Sequence, residues 1–278
     1  MLVVIGDLVA DLIVLGGAVL EHGTDNPAEI RLTRGGSAAN VAVAAASRHP
    51  VRFIGRVGDD TLARALVGEL EAAGVEVRVQ RAGRTGSIVV LVDAVGERTM
   101  ITDRGAAAEL EAIEPAWLEG AEWVHAPLYG FAVTRSRTAL TDAVARAAAG
   151  GARVSIDLSS VATMRELGAA RLQRILDGVR PDVVFANDDE ARAGAELGVA
   201  VTGVYVVKRG PDPVSVTVDG VSSDVPVERV DDVLDSTGAG DAFAAGYVAA
   251  ALSGAGPHES ARAGGALAMS ALRRPGAL

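Results

Sequence analysis

The sequence predicts an α/β protein in which a parallel sheet is covered by helices on both faces, and three observations carry that expectation. Short apolar runs alternate with stretches of helical length along most of the 278 residues, the pattern of right-handed βαβ units. Several Gly- and Asp-containing segments fall just after the expected strands, where ligands of open parallel sheets bind. Hydrophobic residues make up 49% of the chain but aromatics only 3%, so helices must close on the sheet mainly through Ala, Val and Leu.

Composition narrows the function classes. A chain of this length buries about three quarters of its unfolded surface, as one large domain or two small ones. The formal net charge of -10 argues against nucleic acid or an anionic membrane as partner. A nucleotide stays compatible, because it needs only a local positive site, usually completed by magnesium. The chain has no cysteine, which excludes disulfides and thiolate metal sites. His22, His49, His125 and His258 lack ligand spacing and read as structural or solvated side chains rather than metal ligands; His125, at an expected strand end, is the one to watch. The first twenty residues are apolar, but no basic segment precedes them and Asp7 and Asp11 interrupt the run. They read as a buried strand of a cytoplasmic protein, not as a signal peptide.

Taken in order, residues 2–5 form an apolar strand ended by Gly6, with Asp7 and Asp11 following. Strand-like runs at 13–15 and 30–33, with others at 86–93 and 98–102 around a turn at 94–97, either extend the main sheet or pair as a small separate one. Gly35-Gly36-Ser37-Ala38-Ala39-Asn40 is a Gly-rich turn entering an Ala-rich helix, with Ser37 near the cap. A strand at 51–54 and the capping segment Gly55-Arg56-Val57-Gly58-Asp59-Asp60 lead into a helix over 61–73. Strand 122–125 precedes helix 134–149, and strand 153–157 precedes a helix centred on 165–176. After strand 182–185, Asn187-Asp188-Asp189-Glu190 opens a helix with an N-cap and acidic residues that complement the dipole. Strand 203–208 leads through Arg209-Gly210 to a hairpin, 214–218 and 221–227, turning at Asp219-Gly220. The apolar run 242–252 and a final helix over 256–272 complete the chain.

The most informative stretch is Asp235-Ser236-Thr237-Gly238-Ala239-Gly240-Asp241, immediately before the 242–252 run. A Gly-punctuated turn opening a helix aims unpaired N–H groups and the positive dipole end at one point, which makes an anion site. Gly238 and Gly240 let an anion approach the main chain closely. Asp241 is out of place if the only task is to hold an anion, so it is read as a chemical group. An Asp with an ordinary pKa of about 3.9 is ionised at neutrality, and the helix N-terminus is expected to lower that value further. The plainer reading is a capped turn with Asp235 or Ser236 as N-cap.

As a whole this heptad resembles the C-terminal signature of the ribokinase-like (PfkB) carbohydrate kinases. Gly35-Gly36 with Asn40 resembles the family's N-terminal signature, about two hundred residues upstream and in the correct order. The resemblance implies a three-layer α/β/α sandwich with a mostly parallel sheet, one domain over 1–278, and a small β-sheet lid from segments 12–34 and 86–102. It implies ATP and Mg2+ as cofactors and a hydroxyl of a sugar or sugar-like molecule as phosphoryl acceptor. Asp241 inherits the role of base, and the amides of Gly238, Ala239 and Gly240 that of anion hole. Asp11, Gly35, Gly36 and Asn40 inherit acceptor binding. Asn187 and Glu190, matching an Asn-x-x-Glu motif, would organise Mg2+ through water, and Asn187, Lys208, Gly210, Gly238 and Gly240 would meet ATP. In some members the positions of Asp235 and Thr237 help bind a monovalent cation such as K+, and a homodimer through the lid is a further expectation.

Other readings stay open. Pro211, Asp212 and Pro213 replace a glycine pattern that usually follows the Gly210 loop, which puts nucleotide preference there in doubt. A nucleoside kinase of the same fold would want an aromatic platform, with Tyr129 and Phe131 as candidates. Arg104 either meets an anionic substituent of the acceptor or forms an exposed salt bridge. A non-catalytic ligand sensor is the competitor from another class. A Rossmann dehydrogenase is disfavoured because position 243, where a third glycine belongs, is Phe, and no Gly-Lys-Ser/Thr P-loop occurs.

Overall fold

Every residue of the first strand, Leu2–Gly6, is buried, because helices cover both of its faces. Leu2 and Val4 join one core cluster while Val3 and Ile5 join another, as the two-residue period of a strand requires. The computed structural model describes residues 1–16, 20–93, 98–228, 230, 233 and 236–273. In chain order the strands are β1 (Leu2–Gly6), β2 (Val9–Leu15), β3 (Glu29–Gly35), β4 (Val51–Val57), β5 (Glu76–Arg81), β6 (Thr85–Val92) and β7 (Arg98–Gly105). They continue as β8 (Trp123–Pro127), β9 (Arg153–Asp157), β10 (Val183–Asn187), β11 (Val204–Arg209), β12 (Asp212–Val218) and β13 (Val221–Val225). The helices are α1 (Ser37–Ala46), α2 (Thr61–Ala72), α3 (Thr134–Ala149), α4 (Val161–Leu167), α5 (Ala169–Val179), α6 (Asp188–Glu196), α7 (Ala239–Leu252) and α8 (Pro257–Leu272).

Among the described residues the main sheet has nine strands in the order β13-β12-β11-β10-β9-β8-β1-β4-β5. From β11 to β5 the neighbours run parallel, and the β11-β12-β13 end is antiparallel. Residues of α1, α2, α7 and α8 fill the core on one face, and those of α3, α4, α5 and α6 fill it on the other. This is the expected mostly parallel α/β/α arrangement. Among the described residues, no helix is long and apolar enough to cross a membrane.

A second sheet, β3-β2-β6-β7, stands apart from the first, so the 13–15, 30–33, 86–93 and 98–102 runs do not extend the main sheet. Cross-strand partners show which residues share a face: Asp11 lies opposite Thr33 and Ile88, and Ile88 opposite Thr102. The reverse face carries Leu12, Leu32, Val89 and Ile101. The expected turn at 94–97 lies outside the described residues.

Local differences from the sequence expectation have simple causes. The helix centred on 165–176 is two helices, α4 and α5, because Gly168 takes φ 70° between them, a conformation that ends one helix without a Cβ penalty. Strand β5 was not anticipated: Glu-Val-Arg-Val-Gln-Arg alternates polar and apolar as an edge strand does, but carries too much charge to read as core. Ser37 is the first residue of α1, next to the N-cap Gly36, which makes no side-chain cap bond. Neither Asp235, which lies outside the described residues, nor Ser236 is the N-cap of α7, which is Gly238.

Candidate active site

Two glycines in left-handed conformations start the two helices that meet beside the cleft. Gly36, at φ 100°, lets α1 begin directly against β1: a Cβ there would collide with the Asp7 carbonyl. That carbonyl instead accepts the Ala39 amide at 3.2 Å, and Asp7 Oδ1 accepts the Ala38 amide at 3.2 Å. Gly238, at φ 73°, opens α7 without a side-chain cap, so the first amides of the helix are not screened by a capping side chain. α1 packs against α7, which brings Asp241 of the latter's first turn onto Ser37 and Asn40.

Asp241 is held at both oxygens. Ser37 Oγ donates to Oδ1 at 2.6 Å and Asn40 Nδ2 donates to Oδ2 at 2.9 Å. Arg34 Nη1 in turn donates to Asn40 Oδ1 at 2.7 Å, fixing which way the Asn amide faces. Burial nevertheless pushes Asp241 up to about 7, against the lowering effect of the Ser37 and Asn40 hydrogen bonds. The expected depression by the helix N-terminus is therefore corrected: desolvation of the carboxylate between two packed helices outweighs the dipole.

One cleft of about 770 Å³ collects most of the sequence-predicted residues: Asp11, Gly36, Asn40, Asn187, Glu190, Lys208, Thr237, Gly238, Gly240 and Asp241. The small sheet contributes Asp11, Ile88, Arg98, Met100, Thr102 and Arg104 to its lining. Gly35 does not line it but makes room for it, since a Cβ there would overlap the Asp11 carboxylate. Ala239 is also absent from the lining, and its amide donates to the Ser236 carbonyl at 3.3 Å. Gly210 sits at φ 56° in the β11-β12 turn, away from the cleft lining. Asp235 falls outside the described residues.

Asp11 is the least satisfied carboxylate of the site. Its Oδ1 is buried and has no hydrogen-bond partner, and burial, then the neighbouring Asp7 charge, pushes its pKa up to about 6. At the opposite end, Lys208 Nζ bonds Asp157 Oδ2 at 2.6 Å. Burial disfavours this ammonium, but the Asp157 and Glu190 charges outweigh it and keep the lysine above its ordinary value. A Cβ on Gly240 would stand 3.3 Å from the ammonium, so the cation lies just beneath the start of α7. Asn187 and Glu190 form a capping box: Glu190 Oε2 accepts the Asn187 amide at 2.8 Å, and Oε1 accepts Nδ2 at 2.9 Å. Glu190 is pushed up to about 7 by burial and the Asp157 charge.

His125 is a structural core residue, in line with the sequence expectation, and its Nδ1 meets Ser155 Oγ at 2.9 Å. Among the described residues no cluster of three or more His, Cys, Asp or Glu side chains is arranged to hold a metal. Sequence reasoning missed Arg34 and Arg98 as site residues and read Ser37 only as a residue near the helix cap. The even spacing of Arg98, Met100, Thr102 and Arg104 was a usable signal, because alternate residues of a strand share a face.

The family assignment follows from comparison with known proteins. Residues 1–278 match the family described as pfkB family carbohydrate kinase. An ATP-dependent ribose-1-phosphate kinase of Halopiger xanaduensis is 36% identical over 241 residues, covering 81% of this chain and 76% of the relative. A fructokinase of Klebsiella pneumoniae is 29% identical, covering 85% of this chain and 82% of that one. Adenosine kinase from Sinorhizobium meliloti superposes with a TM-score of 0.85 at 23% identity, covering 99% of this chain and 94% of that one. The chain belongs to the pfkB family of carbohydrate kinases and has the ribokinase-like fold.

Proposed function

We propose that this protein is an ATP-dependent kinase that transfers the γ-phosphoryl group to a hydroxyl of a sugar or sugar-like small molecule. The observation that carries the reading is the placement of Asp241, fixed by Ser37 and Asn40, in the same cleft as Gly238 and Gly240. The acceptor oxygen forms a bond to the γ-phosphorus while the bond to the bridging oxygen breaks and ADP leaves. The hydroxyl proton passes to Asp241. Transfer through a loose transition state asks mainly for alignment and charge stabilisation, which the amides of Gly238 and Gly240 and the Lys208 ammonium supply. Asp11, with its unpartnered oxygen, accepts a hydrogen bond from a second acceptor hydroxyl, and Gly35, Gly36 and Asn40 shape that end.

Asn187 and Glu190 fit outer-sphere contact with Mg2+ because each Glu190 oxygen is already engaged by Asn187, while the buried carboxylate still gains from a nearby cation. When bound, Mg2+ neutralises phosphate charge. Thr237 and Asp235 are proposed for a monovalent cation, tested by comparing K+ with Na+ activation. Asn187, Lys208 and Gly210 are proposed for ATP. The whole chain is read as one kinase domain, with the small sheet as a lid that limits ATP hydrolysis by water. The lid's outer face exposes Ile30, Leu32 and Ile101 at 63%, 62% and 59%, which favours a second copy packing there, tested by sedimentation.

The relatives act, by name, on a sugar phosphate, a free sugar and a nucleoside, so acceptor class is the open variable of this reading. The test is coupled ADP release with ATP, Mg2+ and a panel of acceptors. Release no faster than in acceptor-free controls overturns the kinase assignment and favours a ligand sensor.

A further inference from the structure

The acceptor end of the cleft contains an arginine laid flat on an aromatic ring. The Arg104 guanidinium carbon stands 3.8 Å from the Tyr129 ring centroid, and Nη1 donates to Asp7 Oδ2 at 2.8 Å. Asp7 is itself fixed, because Oδ1 accepts the Ala38 amide. Among the described residues that is the one hydrogen bond made by the Arg104 side chain, which is 22% exposed. The side chain lines the cleft, and its planar fork favours carboxylate and phosphate.

The same contact occupies one face of the ring that a nucleobase would stack on. Tyr129 is the one aromatic side chain lining the cleft among the described residues, and Arg104 covers its ring. Phe131, the other candidate platform, is fully buried. The Tyr129 hydroxyl is committed to the Ser159 carbonyl at 3.0 Å, which holds the ring in place.

We propose that the acceptor is an anionic sugar, carrying a phosphate or carboxylate that seats on the Arg104 guanidinium while Asp11 takes a hydroxyl and Asp241 faces the one that is phosphorylated. The proposal rests on the kinase reading above and selects the substrate class within it. Charge at this end is compatible. Of the six small-sheet residues lining the cleft, two are arginines and one, Asp11, is acidic. Asp7 is matched by Arg104 and Asp157 by Lys208. Asp11 and Asp241, pushed up to about 6 and about 7 by burial, carry less than full negative charge near neutrality.

The experiment compares kcat/KM for sugar phosphates, sugar acids, their neutral parents and nucleosides by coupled ADP release. A charge-assisted hydrogen-bonded contact makes the best anionic acceptor about 10- to 100-fold better than its neutral parent. The sugar phosphate and sugar acid arms show which anion is used. Arg104→Lys keeps a positive charge against Asp7, and so the fold, but loses the planar fork; it lowers the anionic preference by about tenfold. A neutral sugar or nucleoside that is turned over as well as any anionic one overturns this inference and leaves the kinase reading standing. So does an anionic preference unchanged in Arg104→Lys. No ADP release with any acceptor overturns the kinase reading itself, and this inference with it.

Discussion

Removing the Ser37 hydroxyl should move the pH dependence of the enzyme without dismantling it. In the fold, Ser37 Oγ donates to Asp241 Oδ1 at 2.6 Å, a bond that favours the ionised carboxylate. A hydrogen bond to a charged group is worth about 1.5–3 kcal/mol, and one pKa unit corresponds to about 1.4 kcal/mol. Water can occupy part of the space left by Ser37→Ala, so the lower end applies and the shift is about one unit upward. Asp241 already stands at about 7, so the acid limb of kcat/KM moves from about pH 7 to about pH 8. At pH 7 the ionised fraction falls from about one half to about one tenth, an approximately fivefold loss of kcat/KM that disappears near pH 9. Ser37→Thr, which keeps the hydroxyl, restores the original limb. The profile is measured by coupled ADP release, with melting temperature as a control. An unmoved limb in Ser37→Ala, or a parent limb near the ordinary carboxylate value of about 4, refutes the assignment of Asp241 as the titrating base.

Asp241→Asn should lower kcat by about 10²- to 10⁴-fold with ATP affinity nearly unchanged, read by turnover and by nucleotide titration. Asp11→Asn should act chiefly through KM for the acceptor, raising it about tenfold or more, because its buried oxygen awaits a hydroxyl; an equal fall in kcat alone would contradict that role. Gly36→Ala should cost about 2 kcal/mol or more, seen as a lower urea midpoint, since its Cβ meets the Asp7 carbonyl at φ 100°. Burial pulls His125 down to about 4 from an ordinary value of 6.5, so between those values the unfolded chain binds a proton that the folded chain does not. The stability His125 contributes is thus complete above about pH 6.5 and falls by about 3 kcal/mol as pH drops to about 4. His125→Gln removes this dependence, and the stability gap between parent and variant should narrow between about pH 7.5 and 5 in urea melts.

The layers of the fold were legible because β1, β9 and β10 are largely apolar runs that stop at Gly6, Asp157 and Asn187. β9, which stops at Asp157, and α3, which stops before Gly150, coincide with their expected bounds. Edge and hinge features were less legible. β5 is half polar because only one of its faces meets the core, and the α4-α5 break depends on one backbone angle at Gly168. In the site, spacing identified the Gly-rich helix starts and the acidic residues near them. It could not show that Ser37 faces another helix 204 residues away in sequence, nor that Arg104 lies over Tyr129, because both contacts arise only when α1 meets α7 and the small sheet comes to line the cleft.

The charge state of Asp241 shows why local sequence logic reaches its limit here. Read from its own turn, the residue is a carboxylate at the positive end of a helix, where an exposed Asp gains about 0.3–1 kcal/mol, less than one pKa unit downward. In the folded protein the same carboxylate is half-buried where α1 meets α7, and desolvation raises its pKa to about 7. The competing effects come from different levels of structure, and the tertiary one is larger. For a base that must accept a proton from an alcohol, a value near neutrality strengthens the acceptor compared with an ordinary aspartate. Packing α7 against α1 therefore does more than position Asp241: by desolvating the carboxylate it raises the proton affinity of the proposed base, while the Ser37 and Asn40 hydrogen bonds act in the opposite direction.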